Sequence, residues 1–135
     1  MGARVLILFF AALLATVSLS QTDPRDMVES PDHQRYSRSA YEAGRRDAER
    51  DIREGRLIIE VFGGPPPGWW DQCAKLLDQR YGIHLREIAG CVVDARILGH
   101  ERGYNEVSRA EITRRFHRDV AEETKAEVKK LRGEM

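Results

Sequence analysis

Residues 57–89 read LIIEVFGGPPPGWWDQCAKLLDQRYGIHLREIA, and the changes of period along them decide the fold. Leu57 to Phe62 is apolar and β-branched, too short for a helix and closed by Gly63-Gly64, which predicts a buried strand. The segment Gly63 to Gly68 (GGPPPG) is neither helix nor central strand, because its prolines lack amide donors. From Trp69 the period becomes helical. Trp70, Cys73, Ala74, Leu77 and Tyr81 share one face, and Gly82 ends the helix. Ile83 to Ala89 (IHLREIA) alternates well enough to predict a second, half-buried strand, broken by Gly90. A strand, a helix of about three turns and another strand fit a right-handed βαβ unit with parallel strands.

Outward from this unit, both flanks read as helical. On the N-terminal side, Ser30-Pro31 has the form of a helix start, serine capping and proline at the first position. The helix is expected to run to about Glu54, with Gly55 as its left-handed stop. Its stripe is thin (Tyr41, Gly44, Ala48, Ile52), and the small residues allow a close backbone approach to whatever it packs on. On the C-terminal side, Asp94 to about Phe116 is a long helix whose Val93, Ile97, Leu98, Tyr104, Val107, Ile112 and Phe116 cover half the circumference. Gly99 and Gly103 each weaken it by about 1 kcal/mol relative to alanine, so a kink or break is expected there. A final amphipathic helix spans Asp119 to Leu131. The order α-β-α-β-α-α predicts a small α/β domain over residues 31–135. Two parallel strands alone are marginal, so helices must cover them or a second subunit must extend the sheet as a homodimer.

The segment Gln21 to Ser30 is polar and aperiodic and reads as a flexible linker. Before it, Met1-Gly2-Ala3-Arg4 leads into Val5 to Val17 without a charge, a run shorter than the ~20 residues that span a bilayer. Ser18 and Ser20 supply small residues at the positions a signal peptidase reads. Residues 1–20 are therefore expected to be a signal peptide, and the protein periplasmic or secreted. An uncleaved N-terminal membrane anchor is the alternative, if Leu19 and the flanks are recruited. Leu6 stands where myristoylation needs a hydroxyl residue, and no lipobox cysteine follows the run. The chain of 135 residues carries 22 basic and 22 acidic side chains; loss of the leader with Arg4 leaves 115 residues, 21 basic against 22 acidic. A near-neutral domain lacks the electrostatic footprint for nucleic acid or, after cleavage, an anionic membrane.

In a βαβ unit the end of the first strand, the start of the helix and the end of the second strand lie at one edge, where open α/β sheets bind ligands. That edge gathers Gly63, Gly64, the prolines, Trp69, Trp70, Gly90 and Cys91. The simpler reading makes the glycines and prolines a stiff turn and the tryptophans core. No GxGxxG or GxxxxGK pattern supports phosphate binding, and no cofactor is implied. Cys73 and Cys91 both fall near this edge, within disulfide reach in an oxidising compartment, where the closed loop would stabilise by about 3 kcal/mol. The alternatives are two buried thiols, or Cys91 as a nucleophile with His100 or His84 as base.

Along the long helix, Glu101, Asn105 and Ser108 fall within the apolar arc, and buried polar groups need partners. They form either a structural hydrogen-bond network or the wall of a polar pocket. The candidate pocket is thus Trp69, Trp70, Gly90, Cys91, Glu101, Asn105 and Ser108. HERGY at 100–104 resembles the start of a zinc-protease helix, but Tyr104 stands where the second histidine ligand belongs, so no metal site is expected.

The combination FGGPPPGWW (62–70), YGIHL (81–85), AGCVV (89–93) and GYNEV (103–107) resembles a family of small bacterial proteins marked by an AGCVV…GYN pattern. The match covers about Ala48 to Phe116. That family has no known function, so the resemblance carries over no activity, ligand or catalytic residue. In its pattern the cysteine of GCVV is regular and a counterpart of Cys73 is not, which counts against the disulfide. The expectation is an exported α/β domain that binds or packs without catalysis. The alternatives are a thiol enzyme centred on Cys91 with His100, and a self-assembling interaction module.

The leader reading predicts Gln21 as the N-terminus of protein recovered from the exporting cell. Mass spectrometry checks it, and an intact Met1 with retention in the membrane contradicts it.

Overall fold

Two parallel strands with helices on either side form the centre of the molecule in the computed structural model, which describes residues 23–63 and 68–133. The leader, its cleavage point and the segment 64–67 lie outside the described residues. A 3₁₀ turn at Pro24–Asp26 leads into strand β1 (Met27–Glu29), which pairs antiparallel with β2 (Arg35–Ser37). Then come helix α1 (Arg38–Arg53), strand β3 (Leu57–Phe62), helix α2 (Trp69–Tyr81) and strand β4 (Ile83–Ala89). Helices α3 (Ala95–Phe116) and α4 (Val120–Leu131) complete the chain. The mixed α/β class and the parallel β3–β4 pair agree with the sequence reading, with Leu57 opposite Ile83 and Glu60 opposite Arg86.

The N-terminal hairpin is a correction. Ser30-Pro31 begins a turn, not a helix: Ser30 donates from its amide and hydroxyl to the Gln34 carbonyl, closing β1 onto β2. The residues read as a linker therefore include a strand. The cap of α1 is Ser37, whose hydroxyl accepts from the Ala40 amide and donates to Asp26 at 2.5 Å. Asp26 also accepts from the Ser39 amide and hydroxyl, so one carboxylate ties the start of the hairpin to the start of α1.

Alternation along the strands separates two unlike faces. Leu57, Ile59 and Ile83 face α2 and α4, where Trp69, Cys73, Leu77, Val120, Ala121 and Val128 close the main apolar core, with Ile112 from α3. Ile58 and Glu60 face the other way, with Ala48 and Tyr104 forming a smaller cluster. Gly82 ends α2 in the left-handed conformation, at φ 64°.

The expected break in α3 is absent: the helix runs unbroken from Ala95 to Phe116. Its glycines serve contact instead. A Cβ on Gly103 would overlap the Tyr41 carbonyl, one on Gly99 the Ser37 carbonyl, and one on Gly44 the His100 carbonyl. Helices α1 and α3 thus cross with their backbones touching, a packing that outweighs the propensity cost of glycine. Gly103→Ala is expected to destabilise the protein by about 1–3 kcal/mol through overpacking. Gly90→Ala, whose Cβ would meet only the Gly63 carbonyl at 3.9 Å, should unfold at the parent's temperature in the same thermal scan.

Candidate functional site

The polar side of the sheet is organised by Glu60, which is 2% exposed in an otherwise apolar strand. Its carboxylate accepts from Arg86, directly opposite on β4, at 2.7 Å, and faces the His100 Nδ1 of α3 at 2.9 Å. The other ring nitrogen of His100 lies 3.1 Å from Asp47 of α1. Arg86 also reaches Asp51 at 3.3 Å and lies over the Tyr104 ring at 4.7 Å. Asp51 accepts from the Tyr104 hydroxyl and from Arg56, each at 2.6 Å. Burial pushes the Asp51 carboxyl up, but Tyr104 and the two guanidiniums outweigh it and the net shift is down. For His100, burial favours the neutral ring, yet Asp47 and Glu60 prevail and raise its pKa. Burial, then Asp51, holds the Tyr104 hydroxyl above the usual phenol range.

The backbone of the same residue closes the edge of the sheet. The Glu60 amide donates to Asn105 Oδ1 at 2.8 Å and its carbonyl accepts from Asn105 Nδ2 at 2.7 Å. Two residues earlier, the Ile58 carbonyl accepts from the Ser108 hydroxyl. A carboxamide that satisfies both groups of one residue replaces a neighbouring strand. Asn105 is 8% exposed and Ser108 is buried, as the apolar arc of the helix required.

Beside Asn105 opens a cleft of about 620 Å³ between the hairpin, α3 and the start of α2. Tyr36, Tyr41, Phe62 and Trp70 supply its aromatic surface; Glu101, Arg102, Asn105 and Arg109 supply polar groups from one side of α3. Glu101 accepts from Asn105 Nδ2 at 2.6 Å. Burial raises its pKa, opposed by Asn105 and the nearby Arg102 and Arg109 and reinforced by Glu60.

Of the residues singled out from sequence, Trp70, Glu101 and Asn105 meet in this cleft. Trp69 is core, with Lys129 Nζ 4.8 Å from its ring centroid. Ser108 is committed to Ile58, while Gly90 and Cys91 are exposed past the end of β4. The disulfide is corrected: both cysteines are free, Cys73 buried and Cys91 exposed. Cys73 shares the α2 face of Leu77 and is buried in the apolar core, whereas Cys91 is exposed on the loop after β4. His100 is held through both ring nitrogens by carboxylates, which leaves it no free nitrogen to serve Cys91 as a base. Sequence reasoning missed Glu60, Arg86, Asp47 and Asp51. The lone acid in LIIEVF was the available signal, since a charge inside a buried strand demands a partner. Among the described residues no group of three or more His, Cys, Asp or Glu could hold a metal ion. Comparison with protein-family models, curated proteins and solved structures found no match.

Two outcomes follow. Asn105→Ala and Asn105→Leu should each lower stability by about 1–3 kcal/mol, because the Glu60 amide and carbonyl lose their partner; unchanged thermal midpoints for both would contradict the edge closure. His100 has a raised folded-state pKa, so its contribution is fully present below its unfolded value of 6.5 and is lost as pH rises through the folded value. Asp47 and Asp51 are depressed, and their contributions fade only as pH falls below the unfolded value of 3.8 toward their folded values. Thermal scans should therefore peak at about pH 5–6, and His100→Gln should flatten the decline on the alkaline side.

Proposed function

We propose that this chain is an exported, non-catalytic binding domain whose ligand site is the cleft between the β1–β2 hairpin and α3. The cleft itself carries the reading. Its volume of about 620 Å³ falls in the range of small-molecule sites, and it joins aromatic walls to a few convergent polar groups. Export rests on the apolar leader. Among the described residues no helix is long and apolar enough to cross a membrane. The half-buried Trp70 in the wall makes occupancy visible by fluorescence. A thermal-shift and fluorescence screen against amino acids, sugars, nucleosides and organic acids should return one class that stabilises the parent. That hit should disappear in Trp70→Ala while the variant keeps its circular-dichroism spectrum. A screen without hits, or one whose hits survive Trp70→Ala, would contradict the reading.

Self-assembly is the second reading, favoured by the asymmetry of the sheet edges. Asn105 and Ser108 close the outer edge of β3, whereas β4 pairs with β3 alone among the described strands. An open edge is a template for another chain. Light scattering at rising concentration tests it: a dimer mass supports it, and a monomer mass throughout removes it.

A further inference from the structure

The cleft contains opposite charges whose hydrogen-bonding capacity is only partly used within the protein. Glu101 is half-buried, and its carboxylate takes part in no salt bridge among the described residues; its single hydrogen bond comes from Asn105. Arg109, two helical turns further along the same side of α3, stands 3.6 Å from Asp119 and 3.8 Å from Glu122. These are ion pairs longer than a hydrogen bond, so among the described residues its N–H donors keep capacity for a ligand oxygen. Arg102 lies over the Tyr36 ring and directs one terminal nitrogen to Asp32 and Gln34, yet its Nε is buried with no partner among the described residues. A buried donor left unpaired costs about 1–3 kcal/mol, and native proteins leave few of them outside functional sites. The other charged pair in the wall is saturated: Glu106 is held by Arg45 and Tyr41.

On the reading that this cleft is the binding site, we propose that its ligand is a zwitterionic amino compound of amino-acid or dipeptide size. Glu101 takes the ammonium group, Arg109 takes the carboxylate, and Phe62 and Trp70 take the side chain. A carboxylate facing an arginine fork gains paired, charge-assisted hydrogen bonds, and an ammonium ion does the same at Glu101. Two turns of α3 rise about 11–12 Å, which the inward reach of the long side chains narrows toward the span of a dipeptide. A neutral sugar would leave the Glu101 carboxylate without a counter-ion. A purely anionic ligand would confront Glu101, and a purely cationic one would confront Arg102 and Arg109.

The test titrates the full chain with the common L-amino acids and a set of dipeptides, then repeats each hit N-acetylated and C-amidated. The proposal expects a zwitterion to bind and each blocked form to bind at least tenfold more weakly. Glu101→Gln should abolish discrimination against the N-acetylated form, and Arg109→Gln discrimination against the amide, with both variants folded by circular dichroism. Equal binding of blocked and free forms overturns the proposal, as does discrimination that survives both substitutions. If neutral oligosaccharides or nucleosides bind in a Trp70-dependent way and zwitterions do not, this inference fails while the cleft stands as a binding site. If no probe binds, both fail.

Discussion

A single carboxylate buried in a strand, that of Glu60, sets the terms for one whole side of this protein. Taking an ion out of water costs several kcal/mol even after relaxation, so the fold must bring counter-charges to it. Arg86 arrives through strand register, directly across the parallel pair, and His100 arrives from α3. Each brings further acids: His100 meets Asp47, and Arg86 meets Asp51, which Tyr104 and Arg56 also hold. Sheet, α1 and α3 are thereby tied by one network. The network requires α1 and α3 to approach closely, which explains glycine at 44, 99 and 103, where a Cβ would strike the facing carbonyl.

The other half of Glu60, its backbone, is linked to the candidate site. Because Asn105 spans the amide and carbonyl of that residue, α3 is fixed along the edge of β3. Glu101, Asn105 and Arg109 lie along the same side of the helix and line the cleft beside that edge. Anything that loosens Glu60 should therefore disturb the cleft. Side chains locked by packing and hydrogen bonds give a site its shape before a ligand arrives. The hairpin completes the opposite wall, held through Asp26 to the start of α1 and through Asp32 to Arg102.

Much of this fold is legible in the sequence, and what is not has a physical cause. The period change at Trp69, the stop at Gly82 and the stripe of α3 each report one element, and strand pairing followed from the short connection. Asn105 and Ser108 were recognisable because polar groups inside an apolar arc need partners. The β1–β2 hairpin was not, because strands of three residues are too short to show a period and Ser-Pro opens turns as readily as helices. Gly99 and Gly103 looked like weak points since propensity describes an isolated helix, whereas contact with α1 decides their role. Cys73 falls near the ligand edge in the chain order, which suggested the disulfide, but its place on the apolar stripe with Trp70 and Leu77 buries it in the core. Tyr36, Tyr41, Arg102 and Arg109 join the cleft only through the packing of hairpin on helix, which no local pattern encodes.

The coupling between Glu60 and Arg86 tests the account most directly. A double-mutant cycle with Glu60→Gln and Arg86→Met, read as free energy of chemical unfolding, separates the pair from its surroundings. The account predicts that Glu60→Gln alone costs about 3 kcal/mol or more by removing the buried counter-charge that Arg86 and His100 share, and that adding Arg86→Met costs far less than its own single substitution. Two small, additive losses would contradict it, reducing the ion pair to a bystander of a fold held by its apolar face.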